Sequence, residues 1–171
     1  MTHINIRLAV KDDAKGIAKV HVETWQYAYI NQIPDTYLNN LSIEGKTNAW
    51  KKNLESSYSK TKTFIAEISN QIVGFASAGP GRDDDLDNVG EILAIYVDKN
   101  YMNKGIGTSL QNACFEYLKS LNYKKATLWV LLTNNNSRRW YEYKGWKIEG
   151  KTKIDKRDTF TLDEIRYAIN L

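Results

Sequence analysis

The chain is poor in the residues that cross-link, stiffen or anchor proteins. Of its 171 residues one is cysteine, Cys114, and two are proline. A single thiol excludes an internal disulfide and any cysteine-based zinc cage. No stretch approaches the ~20 apolar residues that span a bilayer, so no membrane partner is expected. The opening MTHINIRLAV lacks a basic segment followed by an apolar run, and a cytoplasmic location is the expectation. Lysines and arginines outnumber acids 24 to 20, for a net charge of +4, but they are scattered among the acids. No basic run is interleaved with aromatics, so no nucleic-acid partner is expected. Repeats, low-complexity segments and linker composition are also missing, which leaves 1–171 as a single domain.

What is present alternates between two periodicities. INIRLAV (4–10) reads as an opening strand, with Asp12 or Asp13 suited to cap the helix behind it. Ile17, Val20 and Thr24 keep helical spacing through that helix, and Pro34 breaks the chain before two further helical segments. Strands over 62–68 and 71–79 are joined by the tight polar turn Ser69-Asn70. GEILAIYV (90–97) is nearly continuous in apolar residues, as in a central strand buried on both faces. A helix follows in which Ile106, Leu110, Cys114, Leu118 and Leu121 form one apolar stripe. A strand over 125–132, a short helix over 135–144 stopped at Gly145, and two last strands complete the order. The fold class is α/β: a mixed sheet with helices packed on it.

Between the central strand and the long helix lies YMNKGIGTSL, residues 101–110. Glycines 105 and 107 let backbone approach an anion closely, and the N–H groups at a helix start favour phosphate oxygens. The spacing fits neither the dinucleotide fingerprint nor the P-loop, because Lys104 precedes the glycine. On this loop alone, an ordinary strand-to-helix turn stands equally with a phosphate cradle.

EILAIYVDKNYMNKGIGTSLQNACFEYL resembles the acyl-CoA-binding segment of the GNAT superfamily of N-acetyltransferases, and NNNSRRWYEYKGW resembles that family's second signature. Asn134, Ser137, Tyr141, Gly145 and Trp146 fit the offsets of the second, and the element order fits the family across the whole chain. The resemblance implies a mixed, mostly antiparallel sheet of about seven strands with helices on both faces. It implies acetyl-CoA as co-substrate and a primary amine, on a small molecule or peptide, as acceptor. It also allows a homodimer. Pyrophosphate would rest on the N–H groups of Asn103, Lys104, Gly105, Ile106, Gly107 and Thr108, and pantetheine along Ile95, Tyr96 and Val97. Asn134 would bond the pantetheine arm, beside Ser137. Lys99, Lys104, Arg138 and Arg139 are candidates for the outer phosphates, with a solvated face as the alternative. The family's Gln or Arg at the start of the loop is Met102 here, and its next glycine is Asn103. A catalytically silent acyl-CoA-binding module is therefore the second reading.

An amine of pKa near 10.4 is about one part in a thousand neutral at pH 7, so a proton acceptor accelerates its attack. Glu91, opening the central strand, is the candidate. The departing thiolate is helped by a proton, and Tyr141 matches the family's tyrosine donor. On the acceptor side, Glu23, Trp25, Tyr27, Tyr29 and Tyr37 are expected to wall the pocket, where aromatics beside a carboxylate suit a cationic amine. Asp83, Asp84, Asp85 and Asp87 read as a solvated acidic loop, or as an attractor of basic substrates. Cys114 is expected in the core. His3 and His21 have no partner carboxylates at ligand spacing, and no metal is expected.

Overall fold

The computed structural model describes residues 3–56, 59–84 and 88–171. Seven strands form one sheet: β1 (Asn5–Leu8), β2 (Lys62–Ile68), β3 (Gln71–Pro80), β4 (Gly90–Val97), β5 (Lys125–Leu131), β6 (Lys147–Lys156) and β7 (Thr161–Asn170). The spatial order is β1-β2-β3-β4-β5-β7-β6. Every neighbouring pair is antiparallel except β4 and β5, which run parallel. That one parallel step needs a crossover, supplied by the helix between them. The helices are α1 (Ala14–Ala28), α2 (Asp35–Asn39), α3 (Ile43–Glu55), α4 (Ile106–Ser120) and α5 (Asn135–Tyr143). The sheet is open, mixed and covered on both faces, the acyl-CoA N-acyltransferase architecture that the resemblance implies.

Two apolar layers hold it. On one face α1 and α3 bring Ile17, Val20, Trp50 and Leu54 against Ile65 and Phe75. On the other, Ile106, Leu110, Cys114 and Leu118 of α4 pack on Ala66, Val73, Ala76 and Ile92. The helix stripe read from the sequence is thus the buried one, joined by Gln111, whose Oε1 accepts from the Trp146 indole at 2.9 Å. Burial pushes the Cys114 thiol up to about 12, so it is neutral and inert. The Ser69-Asn70 turn has both residues left-handed, at φ 49° and 62°, as a two-residue hairpin loop requires.

Asp13 departs from its expected role. Instead of capping forward into α1, its carboxylate accepts backward from the Val10 amide at 2.8 Å and from Arg7 at 2.7 Å. A 3-10 turn over Lys11–Asp13 enters the helix as a result. The Arg7 guanidinium holds the Asp13 carboxyl below its usual range.

Candidate active site at the divergence of the central strands

The central strand is not buried along its whole length, and the reason locates the site. Parallel pairing of β4 with β5 comprises Gly90–Ala126 and Glu91–Thr127 and goes no further. Only the first three residues of β4 are buried, while Leu93–Val97 are partly exposed along the opening. On its other side β4 stays paired to β3. The register skips Leu93, with Ile92 opposite Ala78 and Ala94 opposite Ser77, so a bulge turns β4 at the mouth of the gap. A strand with one unpaired edge can accept an extended, amide-bearing ligand as an added strand.

The glycine loop closes the far end. Asp98 caps a 3-10 turn over Lys99–Tyr101 by accepting from the Asn100 amide at 2.9 Å. Met102 is extended, and Asn103 then takes φ 61°, the left-handed conformation that asparagine tolerates. Gly105 sits at φ 81° as the N-cap of α4, and no side chain caps the helix there. The first amides of α4 consequently have no intrahelical acceptor and face outward with the positive end of the helix dipole. An ideal Cβ on Gly107 would come 3.4 Å from the Trp140 ring of α5, so the loop lies close against that helix.

Helix α5 supplies the second half. Its N-cap is Asn134, buried, whose Oδ1 accepts from the Ser137 amide at 3.2 Å. That bond uses the carbonyl of the side chain, and Nδ2 makes no hydrogen bond among the described residues. Tyr141 lies against the α4 layer, its ring 5.2 Å from Trp140 and 6.0 Å from Trp146. Its hydroxyl makes no hydrogen bond among the described residues. Burial, then the neighbouring Tyr96, pushes its phenol well above the ordinary tyrosine range, so it is fully protonated at neutral pH.

Arg138 is engaged elsewhere. Its Nε donates to the Tyr167 hydroxyl at 3.1 Å and its NH1 to the Leu132 carbonyl at 2.8 Å. These bonds brace α5 on the sheet. Lys104 is exposed and bonds the Asn100 carbonyl at 3.2 Å.

The expected acceptor wall divides in two. Trp25 and Tyr29, one helical turn apart, face the sheet with rings 5.1 Å from one another. Glu23 does not join them. Two residues along a helix are about 200° apart, and Glu23 lines a groove of about 710 Å³ with Lys19, Tyr27, Lys99 and Lys104. The Lys99 ammonium lies 5.8 Å from the Tyr27 ring there. Tyr37 stays with the aromatic wall, 4.8 Å from Phe160.

Three further side chains join Trp25 and Tyr29: Tyr96, expected along the pantetheine arm, and His21 and Lys46, expected in no site. Tyr96 of β4 stands on the α1 face, stacked 5.5 Å from His21. Burial raises its phenol, opposed by the adjoining Tyr29 hydroxyl and Trp25 indole. Tyr96 and Tyr141 belong to opposite layers, yet are near enough across the gap for one to shift the other. His21 is pushed down to about 4 by burial and by Lys46, and its Nδ1 accepts from the Trp50 indole at 3.3 Å. Lys46 of α3 lies 5.8 Å from the Trp25 ring. Its position depends on how α3 crosses α1, which local sequence does not reveal.

Glu91 is neither solvent-exposed nor free. It is 1% exposed. Its Oε2 accepts from the Arg82 amide at 3.1 Å and Nε at 3.0 Å, and its Oε1 from Arg82 NH2 at 2.5 Å. The loop behind it also turns inward: Asp83 accepts from the Trp129 indole at 2.9 Å and pairs with Arg166 at 3.2 Å, rather than standing in solvent. Asp84 is exposed, and Asp85 and Asp87 lie outside the described residues. No group of three or more His, Cys, Asp or Glu among the described residues could share a metal ion. No helix among them is long and apolar enough to cross a membrane.

The fold is shared with known proteins. The profile of the acetyltransferase (GNAT) family matches residues 21–146. The chain belongs to the GNAT acetyltransferase family. It is 33% identical over 132 residues to the uncharacterized N-acetyltransferase YuaI of Bacillus subtilis, covering 77% of this chain and 73% of that one. It is 31% identical over 144 residues to an uncharacterized N-acetyltransferase of Archaeoglobus fulgidus, covering 81% and 89%. In fold it matches PaiA N-acetyltransferase of Thermoplasma acidophilum, a structure solved in complex with coenzyme A. The TM-score there is 0.78, at 20% identity over 99% of both chains. The activity class of this GNAT protein is N-acetyl transfer.

Proposed function

We propose that residues 1–171 form one catalytic domain that transfers an acetyl group from acetyl-CoA to a primary amine by direct attack in a ternary complex. The observation that carries this reading is the divergence of β4 from β5 beyond Glu91, closed by the uncapped start of α4. It offers a strand edge for pantetheine at Ile95, Tyr96 and Val97 and outward N–H groups from Asn103 to Thr108 for pyrophosphate. The coenzyme A complex of the Thermoplasma relative supports that choice of ligand. Asn134 has its Nδ2 left to donate to an amide of the arm, beside Ser137. Lys19, Lys99 and Lys104, in the groove flanking the loop, are placed for outer phosphates in a way that Arg138 is not.

The chemistry needs two proton movements. As the amine nitrogen bonds the acyl carbon, the carbon–sulfur bond breaks and the sulfur takes a proton. Tyr141 is the donor in this account: it is protonated, has no competing hydrogen bond, and stands beside the opening. The amine's own proton leaves to water. Glu91 already holds three N–H donors from Arg82, and taking a proton would break an ion pair whose carboxylate is buried. Its role is to fix the loop at Arg82 against the start of β4.

One experiment addresses both groups: pH profiles of kcat/KM with acetyl-CoA and a primary amine. Tyr141→Phe lowers kcat about 100-fold with coenzyme A affinity retained. Glu91→Gln keeps the wild-type profile. Equal rates for Tyr141→Phe and wild type remove the tyrosine from the step. A loss concentrated at low pH in Glu91→Gln restores the carboxylate as base. The silent-module reading rests on Met102, which brings no polar group to the loop. It requires calorimetric binding of coenzyme A with no turnover of any amine.

A further inference from the structure

The acceptor side of the gap is poor in negative charge and rich in donors. Trp25, Tyr29, Tyr96 and His21 form its aromatic wall. Glu23, the carboxylate expected among them, is on the far side of α1. The acids that do lie near are matched. Glu164 pairs with Lys153 at 3.4 Å, and Asp155 with Arg157 at 2.5 Å. Lys46 is different. Its ammonium is half-buried over the Trp25 ring and has no ion pair or hydrogen bond among the described residues. Arg157 and His21 are its charged or titratable neighbours, and the first repels it.

The Trp25 indole does not share that role, because its Nε1 is inaccessible to water and adjoins the Tyr96 hydroxyl. Lys46, over the same ring, is left as a partly desolvated ammonium with no counter-charge among the described residues. An anionic oxygen ligand would relieve it. A polyamine would instead bring further positive charge beside Lys46.

We propose that the acceptor is an amine that also carries a carboxylate, and that Lys46 receives that carboxylate while the amine faces the gap. This inference rests on the acetyltransferase reading above. It makes Lys46 a specificity residue for the acceptor, with no part in holding acetyl-CoA.

The test is thiol release from acetyl-CoA with matched acceptors: 4-aminobutanoate against butylamine, L-alanine against L-alaninamide, and spermidine as a cationic contrast. Wild type should favour the carboxylate member of a pair by at least about tenfold in kcat/KM, the scale of one charge-assisted bond. Lys46→Met should abolish that preference with KM for acetyl-CoA unchanged, and Lys46→Arg should retain much of it. Preference for the neutral partners or for spermidine overturns the inference while leaving acetyl transfer intact. So does an unaltered preference in Lys46→Met. Absence of thiol release with every amine overturns the acetyltransferase reading itself. Unchanged coenzyme A affinity in Lys46→Met shows that the variant has folded.

Discussion

Single residues in this protein are tuned by burial more than by partner charges. His21 shows it most directly, because burial and Lys46 push it down to about 4 from an ordinary 6.5. The native state keeps His21 neutral where the unfolded chain protonates it. The unfolded state therefore binds more protons below pH 6.5, and stability falls as pH drops from about 6.5 to about 4. The size is on the order of 3 kcal/mol across that window. Asp13 acts in the same direction at lower pH, since Arg7 depresses its carboxyl and that stabilisation is lost on acidification. His21→Gln should flatten denaturant-melt stability between pH 6.5 and 4 relative to wild type. Parallel pH curves for the two proteins would contradict the assignment.

At the scale of elements, the seat of α4 on the sheet governs the cradle proposed for coenzyme A. Gly74 of β3 makes the close approach possible. An ideal Cβ there would stand 3.0 Å from the Tyr96 carbonyl oxygen and 3.2 Å from both Ile106 and Leu110. The oxygen is backbone and cannot turn aside, so Gly74→Ala must displace either β4 or the start of α4. A loss of about 1–3 kcal/mol is expected, together with weaker calorimetric binding of coenzyme A. Wild-type melting temperature and wild-type affinity in this variant would mean that the helix seat is loose.

The same scale separates what sequence carries from what it does not. The stripe of α4, the left-handed Asn103, the Ser69-Asn70 turn and the N-cap position of Asn134 are local properties, and each follows from residue type and spacing. The parting of β4 from β5 is not local: GEILAIYV looks uniformly buried, and only the topology exposes its second half. The hold of Arg82 on Glu91 is not local either, because it runs through a loop conformation that spacing does not encode. Glu23 parts from Trp25 for a simpler reason. Helical period already sets it opposite Trp25, but only the packing of α1 says which side faces the gap. Lys46 and Tyr96 could not be paired with Trp25 before three separate elements were brought together.

Across the whole molecule, the two faces of the sheet carry different work. The α4 and α5 face presents the loop amides, Asn134 and Tyr141, while the α1 and α3 face presents Trp25, Tyr29, Tyr96 and Lys46. They communicate where β4 and β5 part, with Tyr96 and Tyr141 on either side. The division suits two substrates that enter separately and meet at one point, as a ternary complex demands. It also accounts for the strand bulge at Leu93, which widens the meeting point without interrupting the pairing of β4 with β3.

The most direct measurement is the rate of thiol release from acetyl-CoA by the wild-type protein, with and without a primary amine, with the product identified by mass. The account predicts release that depends on the amine and yields the N-acetylated amine in equal amount. Release that is absent, or that proceeds at the same rate without an amine, would contradict it.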